Sequence, residues 1–306
     1  MGIANFLLPD QVDDLVRAEE MSLRAACFPP EDVAAVFRYG APVGSRIHCH
    51  RHLVRGMDEA RRLIDACERR GGSFSSGTVI VADTLSGGKG RFRRDWHAPA
   101  GGVWLTAIIA NTLLPESARL YPFAAGVACC ETVRSLGAPA SLKWVNDVLA
   151  DGRKLAGVLI EQYRSPVHGE EFFLLGIGIN VNNTGFPPAV AGISLLQTTG
   201  RSHHLPAVTC RLLAKLRWNI GLLHREEARW LSARDGADSP PPHPLMAAWR
   251  NLSDTVGRQV EFGFDVQLRP EYRATVVGVA DDGGLVLRHG EPPTVCTEIA
   301  GEILYL

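Results

Sequence analysis

Three of the chain's four lysines fall between residues 89 and 154, in segments whose residue types suit phosphate chemistry. Lys89 sits in GGKGRFRRDW (87–96), Lys143 in KWVND (143–147) and Lys154 in GRKLAG (152–157). In the first segment Gly87, Gly88 and Gly90 let backbone N–H groups approach an anion without Cβ obstruction, and Lys89, Arg91, Arg93 and Arg94 add charge. The glycine-lysine-serine/threonine signature of a P-loop is absent, and taken alone the loop reads as a solvated basic turn. KWVND adds a cation, an aromatic platform, an amide and a carboxylate in consecutive positions. At a period of two, Lys143, Val145 and Asp147 face one way while Trp144 and Asn146 face the other. Together the segments suggest a nucleotide-phosphate site. Its lysines supply charge, Asp147 orients a lysine or holds Mg²⁺, and the glycine loop closes over the ligand.

The elements that must position these residues follow from periodicity. Apolar residues at Met57, Ala60, Leu63, Ile64 and Cys67 predict an amphipathic helix from Gly56 to Gly71. GTVIVADT (77–84) reads as a buried strand leading into the basic loop, and GVWLTAIIA (102–110) as a second. A helix is expected over 121–137, then two short strands around the turn Asp151–Gly152, an apolar strand over 171–182 and a long helix over 206–231. The proline-rich stretch 234–245 reads as linker, and beyond it the apolar period drops to two at Val260, Phe262, Phe264, Val266 and Leu268. The expectation is an α+β domain followed by a small all-β barrel.

Composition narrows the function. With 32 basic and 33 acidic residues the formal net charge is −1, so affinity for phosphate must come from local clusters. Seven cysteines without CxxC spacing argue against a disulfide framework or a zinc ribbon, and Cys129–Cys130 reads as helix core. No stretch approaches the roughly 18 apolar residues of a membrane span, so a cytoplasmic protein without a membrane partner is expected. His48, His50 and His52 share one side of a strand as a metal site might, although no carboxylate lies nearby in sequence and a plain surface or pocket strand is favoured. Residues 1–44 are too short, and lack the basic recognition helix, for a winged helix-turn-helix, so no nucleic-acid partner is expected.

The order of GxGRxxRxW, KWxND, GRKLAG and GIGINVN, with VGRQVEF leading into a terminal barrel, resembles biotin protein ligases, in the form without a DNA-binding domain. The resemblance runs from about residue 46 to the C-terminus. It implies a class II synthetase-like biotin/lipoate ligase domain with a mixed sheet over 45–233, a linker over 234–253 and an SH3-like barrel over 254–306, after an extension of 1–44. It implies ATP, Mg²⁺ and biotin as reactants, a biotin carboxyl carrier protein as acyl acceptor, and a homodimer as one oligomeric option. By position, Lys154 matches the lysine at the carboxylate and α-phosphate, and Arg91 the loop arginine that retains the adenylate. Gly88, Lys89, Gly90, Arg94, Trp96, Lys143, Asn146 and Asp147 match ATP and adenylate positions, with Asp147 also the metal candidate. Gly157 matches a biotin contact, whereas Arg55 and Gly56 stand where the family has Ser-Thr, and Leu85 where it has glutamine. Lys89, Arg93 and Val145 replace arginine, glycine and proline. The phosphate half is thus kept more fully than the ring half. A same-fold ligase for lipoate or octanoate, and a non-catalytic relative, are the alternatives.

Overall fold

In the computed structural model, which describes residues 7–187, 190–232 and 242–306, seven strands form one mixed sheet. They are β1 (Ile47–Leu53), β2 (Thr78–Leu85), β3 (Val103–Ala110), β4 (Ala140–Lys143), β5 (Asp147–Ala150), β6 (Arg153–Arg164) and β7 (Glu171–Ile179), in the order β1-β2-β3-β7-β6-β5-β4. β1 runs parallel to β2, and the other neighbours are antiparallel. β5 turns into β6 through Asp151 and Gly152, at φ of 50° and 69°, the left-handed pair that matches the twist of a two-residue hairpin.

Helices are α1 (Pro9–Leu15), α2 (Met21–Ala25), α3 (Pro30–Gly40), α4 (Gly56–Glu68), α5 (Pro115–Ala118), α6 (Tyr121–Ser135), α7 (Leu195–Thr199), α8 (Leu205–Ser232) and α9 (Pro244–Leu252). Alternation along the central strands divides them into two layers. Val79, Val81, Leu105 and Ala107 join the large core with α6 and α8, while Ile80 and Ile108 pack with Met57, Ala60 and Ile64 of α4. Cys129 and Cys130 are fully buried in the large core, and burial pushes the Cys130 thiol up to about 12, as inert core cysteines require.

The described part of the N-terminal extension carries helices only, and they dock on α8. A Cβ at Gly40 would lie 1.8 Å from the Arg217 carbonyl oxygen, and one at Gly221 2.1 Å from that of Val36, so α3 and α8 cross backbone to backbone. Lys215 bonds Glu20 at 2.8 Å with both side chains buried, and Arg24 grips Glu131 through two bonds of 2.7 and 2.6 Å.

Residues 234–241 of the expected linker lie outside the described residues. Its remainder is helical: α9 buries Leu245, Met246 and Trp249, and Trp249 meets Phe123 of α6 at 5.7 Å between ring centroids. Five further strands, β8 (Gln259–Gly263), β9 (Tyr272–Val279), β10 (Leu285–His289), β11 (Thr294–Glu298) and β12 (Glu302–Tyr305), form an antiparallel sheet ordered β11-β10-β9-β8-β12. It is clamped to the first sheet through the buried Trp144, whose Nε1 donates to the Gly283 carbonyl at 3.0 Å. The architecture is the α+β domain with appended small β domain that the periodicity predicts.

Candidate active site

A cavity of about 570 Å³ opens on the α4 face of the large sheet. Its floor has almost no side chains. Gly157 on β6 pairs with Gly178 on β7, and Gly176 lies two positions along the same strand. A Cβ at Gly157 would come within 2.6 Å of Lys154 Cε, and one at Gly178 within 2.6 Å of Trp96 Nε1. The alternate glycines of GIGIN therefore keep one face of β7 flat where a ligand can lie.

Lys154 reaches over this floor to Asp147, Nζ to Oδ1 at 2.6 Å, beneath the Trp96 ring at 5.2 Å. Lys143 pairs with Asp147 across the β4–β5 hairpin, which sets both lysines around one carboxylate. Burial works to raise the Asp147 carboxyl, but Lys154, Lys143 and Arg91 outweigh it and hold the group below the usual carboxylate range. Burial also lowers the Lys143 ammonium; Lys154 and Arg91 add to this, against opposition from Asp147 and Glu302. The arrangement is a partly dehydrated site with more positive than negative charge, suited to an anion.

Gly88, Lys89, Gly90, Arg91, Arg94, Trp96, Lys143, Asp147, Lys154 and Gly157 all line the cavity, as do Arg55, Gly56 and Leu85. Asn146 does not: it sits in the turn between β4 and β5 and is buried with its Cβ against Gly126 of α6. A Cβ on Gly88 would lie 2.6 Å from the Trp96 carbonyl oxygen, so this glycine is required by close packing within the loop, whereas a Cβ on Gly90 would make only an ordinary contact with the Arg94 carbonyl oxygen at 3.7 Å. Lys89 is paired with Asp95 inside the loop.

The second sheet supplies the wall that sequence reasoning missed. Arg91 donates to the Gly301 carbonyl at 2.8 Å and pairs with Glu302 at 3.0 Å. Arg94 pairs with Glu302 and with Asp265, both at 2.5 Å, and Phe92 meets Phe264 edge-on at 5.3 Å. Tyr305 lies 5.8 Å from the Lys143 ammonium. The basic loop is thus strapped to β12, and no local pattern in GEILYL announces it.

Asp147 does not fit a resident divalent cation. One of its oxygens is held by Lys154, three cations surround it, and among the described residues no group of three or more His, Cys, Asp or Glu side chains could hold a metal. The same applies to the histidines of β1. His50 lies 3.9 Å from Glu59, and His52 shares a hydrogen bond with Thr84 at 2.9 Å, leaving no cluster.

At the opposite end, Arg55 is turned onto Glu161 and Asp58, and Glu161 is shared with Arg61. Leu53, Met57, Ile80, Leu85 and Leu159 make this end apolar.

A family model described as the biotin/lipoate A/B protein ligase family matches residues 67–182, which contain the basic loop, KWVND, GRKLAG and GIGIN. The biotin–[acetyl-CoA-carboxylase] ligase of Paracoccus denitrificans is 32% identical over 225 residues, covering 70% of this chain and 85% of that protein. The bifunctional ligase/repressor BirA of Bacillus subtilis is 34% identical over 130 residues, a match that spans only 40% of its length and 40% of this chain. Among solved structures, a biotin protein ligase from Aquifex aeolicus in complex with biotin and ATP superposes with a TM-score of 0.66 at 21% identity, over 85% of this chain and 98% of that one. That likeness carries the fold: a mixed-sheet ligase domain with a small C-terminal β domain. Through the motifs gathered at one cavity and the extent of the Paracoccus match, this chain belongs to the biotin protein ligase family.

Proposed function

We propose that the chain activates biotin with ATP and transfers it to a lysine of a biotin carboxyl carrier protein. The observation that carries this reading is the Lys154–Asp147 pair, beside Lys143, over a glycine floor that runs on into an apolar end. In the first step a biotin carboxylate oxygen attacks the α-phosphorus of ATP, the bond from that phosphorus to the bridging oxygen breaks, and pyrophosphate leaves biotinyl-5′-AMP. Both reactants are anions, so fixed cations that need no reorganisation lower the barrier. Lys154 serves the meeting point of carboxylate and α-phosphate, with Asp147 holding its ammonium in place. Lys143, Lys89, Arg91 and Arg94 serve the phosphates, the backbone at Gly88 and Gly90 approaches them, and Trp96 excludes water from Lys154. Asn146 acts from the β4–β5 turn, through its packing on α6. In the second step the acceptor amine attacks the acyl carbonyl, AMP leaves with the bonding electron pair, and the amine proton passes to solvent.

Magnesium enters this reading as part of the substrate, MgATP, carried by the triphosphate, and no step is routed through a protein-held ion. We assign catalysis to residues 45–233 and the clasp over the loop to residues 254–306. No helix among the described residues is long and apolar enough to cross a membrane, and consumption of ATP assigns the reaction to the cytoplasm. The test is pyrophosphate release by the purified chain with MgATP and, in parallel, biotin, lipoate and octanoate, followed by mass spectrometry of the adenylate and of a carrier domain. Biotinyl-AMP and a biotinylated carrier are expected. Release with lipoate or octanoate but not biotin would assign a different acid.

A further inference from the structure

Thr106 of β3 is 4% exposed, lines the cavity, and among the described residues its hydroxyl makes no hydrogen bond. It lies beside the start of α4. A Cβ built on Gly56 would meet Thr106 Oγ1 at 2.4 Å, so the hydroxyl occupies the room that a side chain at position 56 would take. The first turn of α4 is itself open, because Arg55 at the N-cap gives no side-chain hydrogen bond to it. Its N–H groups and the positive end of the 13-residue helix therefore border the same end of the cavity.

Strand register measures how far this end is from Lys154. The Lys154 ammonium lies over Gly157, 3.0 Å from where its Cβ would be. Gly157 pairs with Gly178, while Thr106 pairs with Gly176, two positions along β7 and one strand further across the sheet. At ~3.3 Å per residue and ~4.8 Å between strands, Thr106 is about 12 Å from the lysine head. Between them lie the glycine floor and the apolar walls of Leu53, Met57, Ile80, Leu85 and Leu159. The cations at the far end, Arg55 and Arg61, are both held by Glu161 and Asp58, so among the described residues they are already paired and not free for a second carboxylate.

We propose that Thr106 is a specificity-determining residue of the acid pocket: its hydroxyl, with the open first turn of α4, receives a neutral carbonyl at the far end of a medium-length carboxylic acid. This rests on the ligase reading for the acid's other end, at Lys154. It selects acids with a hydrogen-bonding head, such as a cyclic urea, over plain aliphatic acids, although positions 55, 56 and 85 carry no hydroxyl or amide.

The test is calorimetric binding of biotin and of octanoate to the full chain, without ATP, for wild type, Thr106→Val and Thr106→Ser. Valine keeps the shape and removes the hydroxyl, so biotin should weaken about tenfold while octanoate changes by less than about twofold, and serine should keep biotin affinity. A Gly56→Ala variant, whose added methyl crowds Oγ1, should weaken biotin in the same way. Unchanged biotin affinity in Thr106→Val, equal loss for both acids, or wild-type preference for octanoate each overturns the assignment. Thr106-dependent biotin binding without pyrophosphate release would instead sink the ligase reading and leave Thr106 standing.

Discussion

The Lys154 ammonium stands 2.6 Å from the Asp147 carboxylate, and the two are the opposed ends of the β5–β6 hairpin turned inward over Gly157. A carboxylate so placed aims the lysine without neutralising the site, because Lys143 and Arg91 face it as well. Lys154→Ala should lower the rate of adenylate formation by about 10²–10³-fold, the range for loss of one preorganised electrostatic contact. Asp147→Asn should lower kcat with a smaller effect on the KM for ATP. Single-turnover pyrophosphate release checks both, and an Asp147→Asn enzyme of wild-type kcat would remove the aiming role.

The downward shifts of Asp147 and Lys143 set two pH limits. Asp147 is depressed in the folded state, so its contribution to stability is complete above its unfolded value and is lost as pH falls through the lower folded value. Lys143 is lowered, so its charge is lost on the alkaline side before that of an ordinary lysine near ~10.4. The kcat/KM for ATP should decline along that alkaline limb, and Lys143→Arg should shift the decline upward. A limb that does not move in the arginine variant assigns it to another group.

The floor glycines predict a steric effect separable from charge. Gly178→Ala puts a methyl 2.6 Å from Trp96 Nε1 and forces the indole off the cavity floor. The KM for the acid should rise about tenfold or more while the melting temperature moves by only a few degrees, since the displaced ring borders open space. Acid titration of pyrophosphate release, with a thermal melt alongside, measures both.

Glu302 binds two loop arginines at once, so Glu302→Gln should loosen the loop. Limited proteolysis with trypsin should cleave within residues 87–96 several-fold faster than in wild type, and a non-hydrolysable biotinyl-adenylate should restore protection. Equal cleavage rates would mean that the Arg91–Gly301 bond, the Arg94–Asp265 pair and the Phe92–Phe264 contact hold the segment without Glu302.

Lys215 and Glu20 are both buried, and removing one partner leaves a charge without water. Lys215→Met should destabilise the chain by about 3–5 kcal/mol in urea unfolding, and the double change with Glu20→Gln should recover much of that loss. Failure of the double variant to recover would place the cost in packing.

Much of the catalytic half could be read from spacing because it is local. Lys143 and Asp147 do meet, but across the β4–β5 hairpin: Trp144–Asn146 is the turn and not part of one continuous strand, so pairing and not period-two alternation brings the two into the cavity while Asn146 packs on α6. GIGIN likewise falls in the apolar strand read over 171–182, and the bare face of its alternate glycines shows only once β7 is paired. The missed residues belong to contacts across long stretches of chain. Glu302 meets Arg94 across 208 residues, and a carboxylate in a terminal strand gives no local sign of the loop it will hold. Arg55 and Gly56 look like the loss of polar groups, yet Arg55 finds Glu161 106 residues away and Gly56 makes room for Thr106 on another strand. The proline-rich stretch reads as linker to residue 245, and the resemblance extends that linker to 253, but Trp249 has a tertiary partner, Phe123, that fixes residues 244–252 as a packed helix.

The strap between the basic loop and β12 makes Glu302 an anion built into the chain. Arg91 and Arg94 cannot be fully bonded to that carboxylate and to a phosphate at once, and the tether keeps Glu302 at high effective concentration. Reciprocity then applies: whatever a nucleotide subtracts from the hold of β12 on the loop, that hold subtracts from the affinity for the nucleotide. On the proposed function, the strength of ATP binding would be tuned from the small β domain, where Gly301, just ahead of β12, meets Arg91 across 210 residues, and substitutions there would adjust it without altering any group in the large sheet.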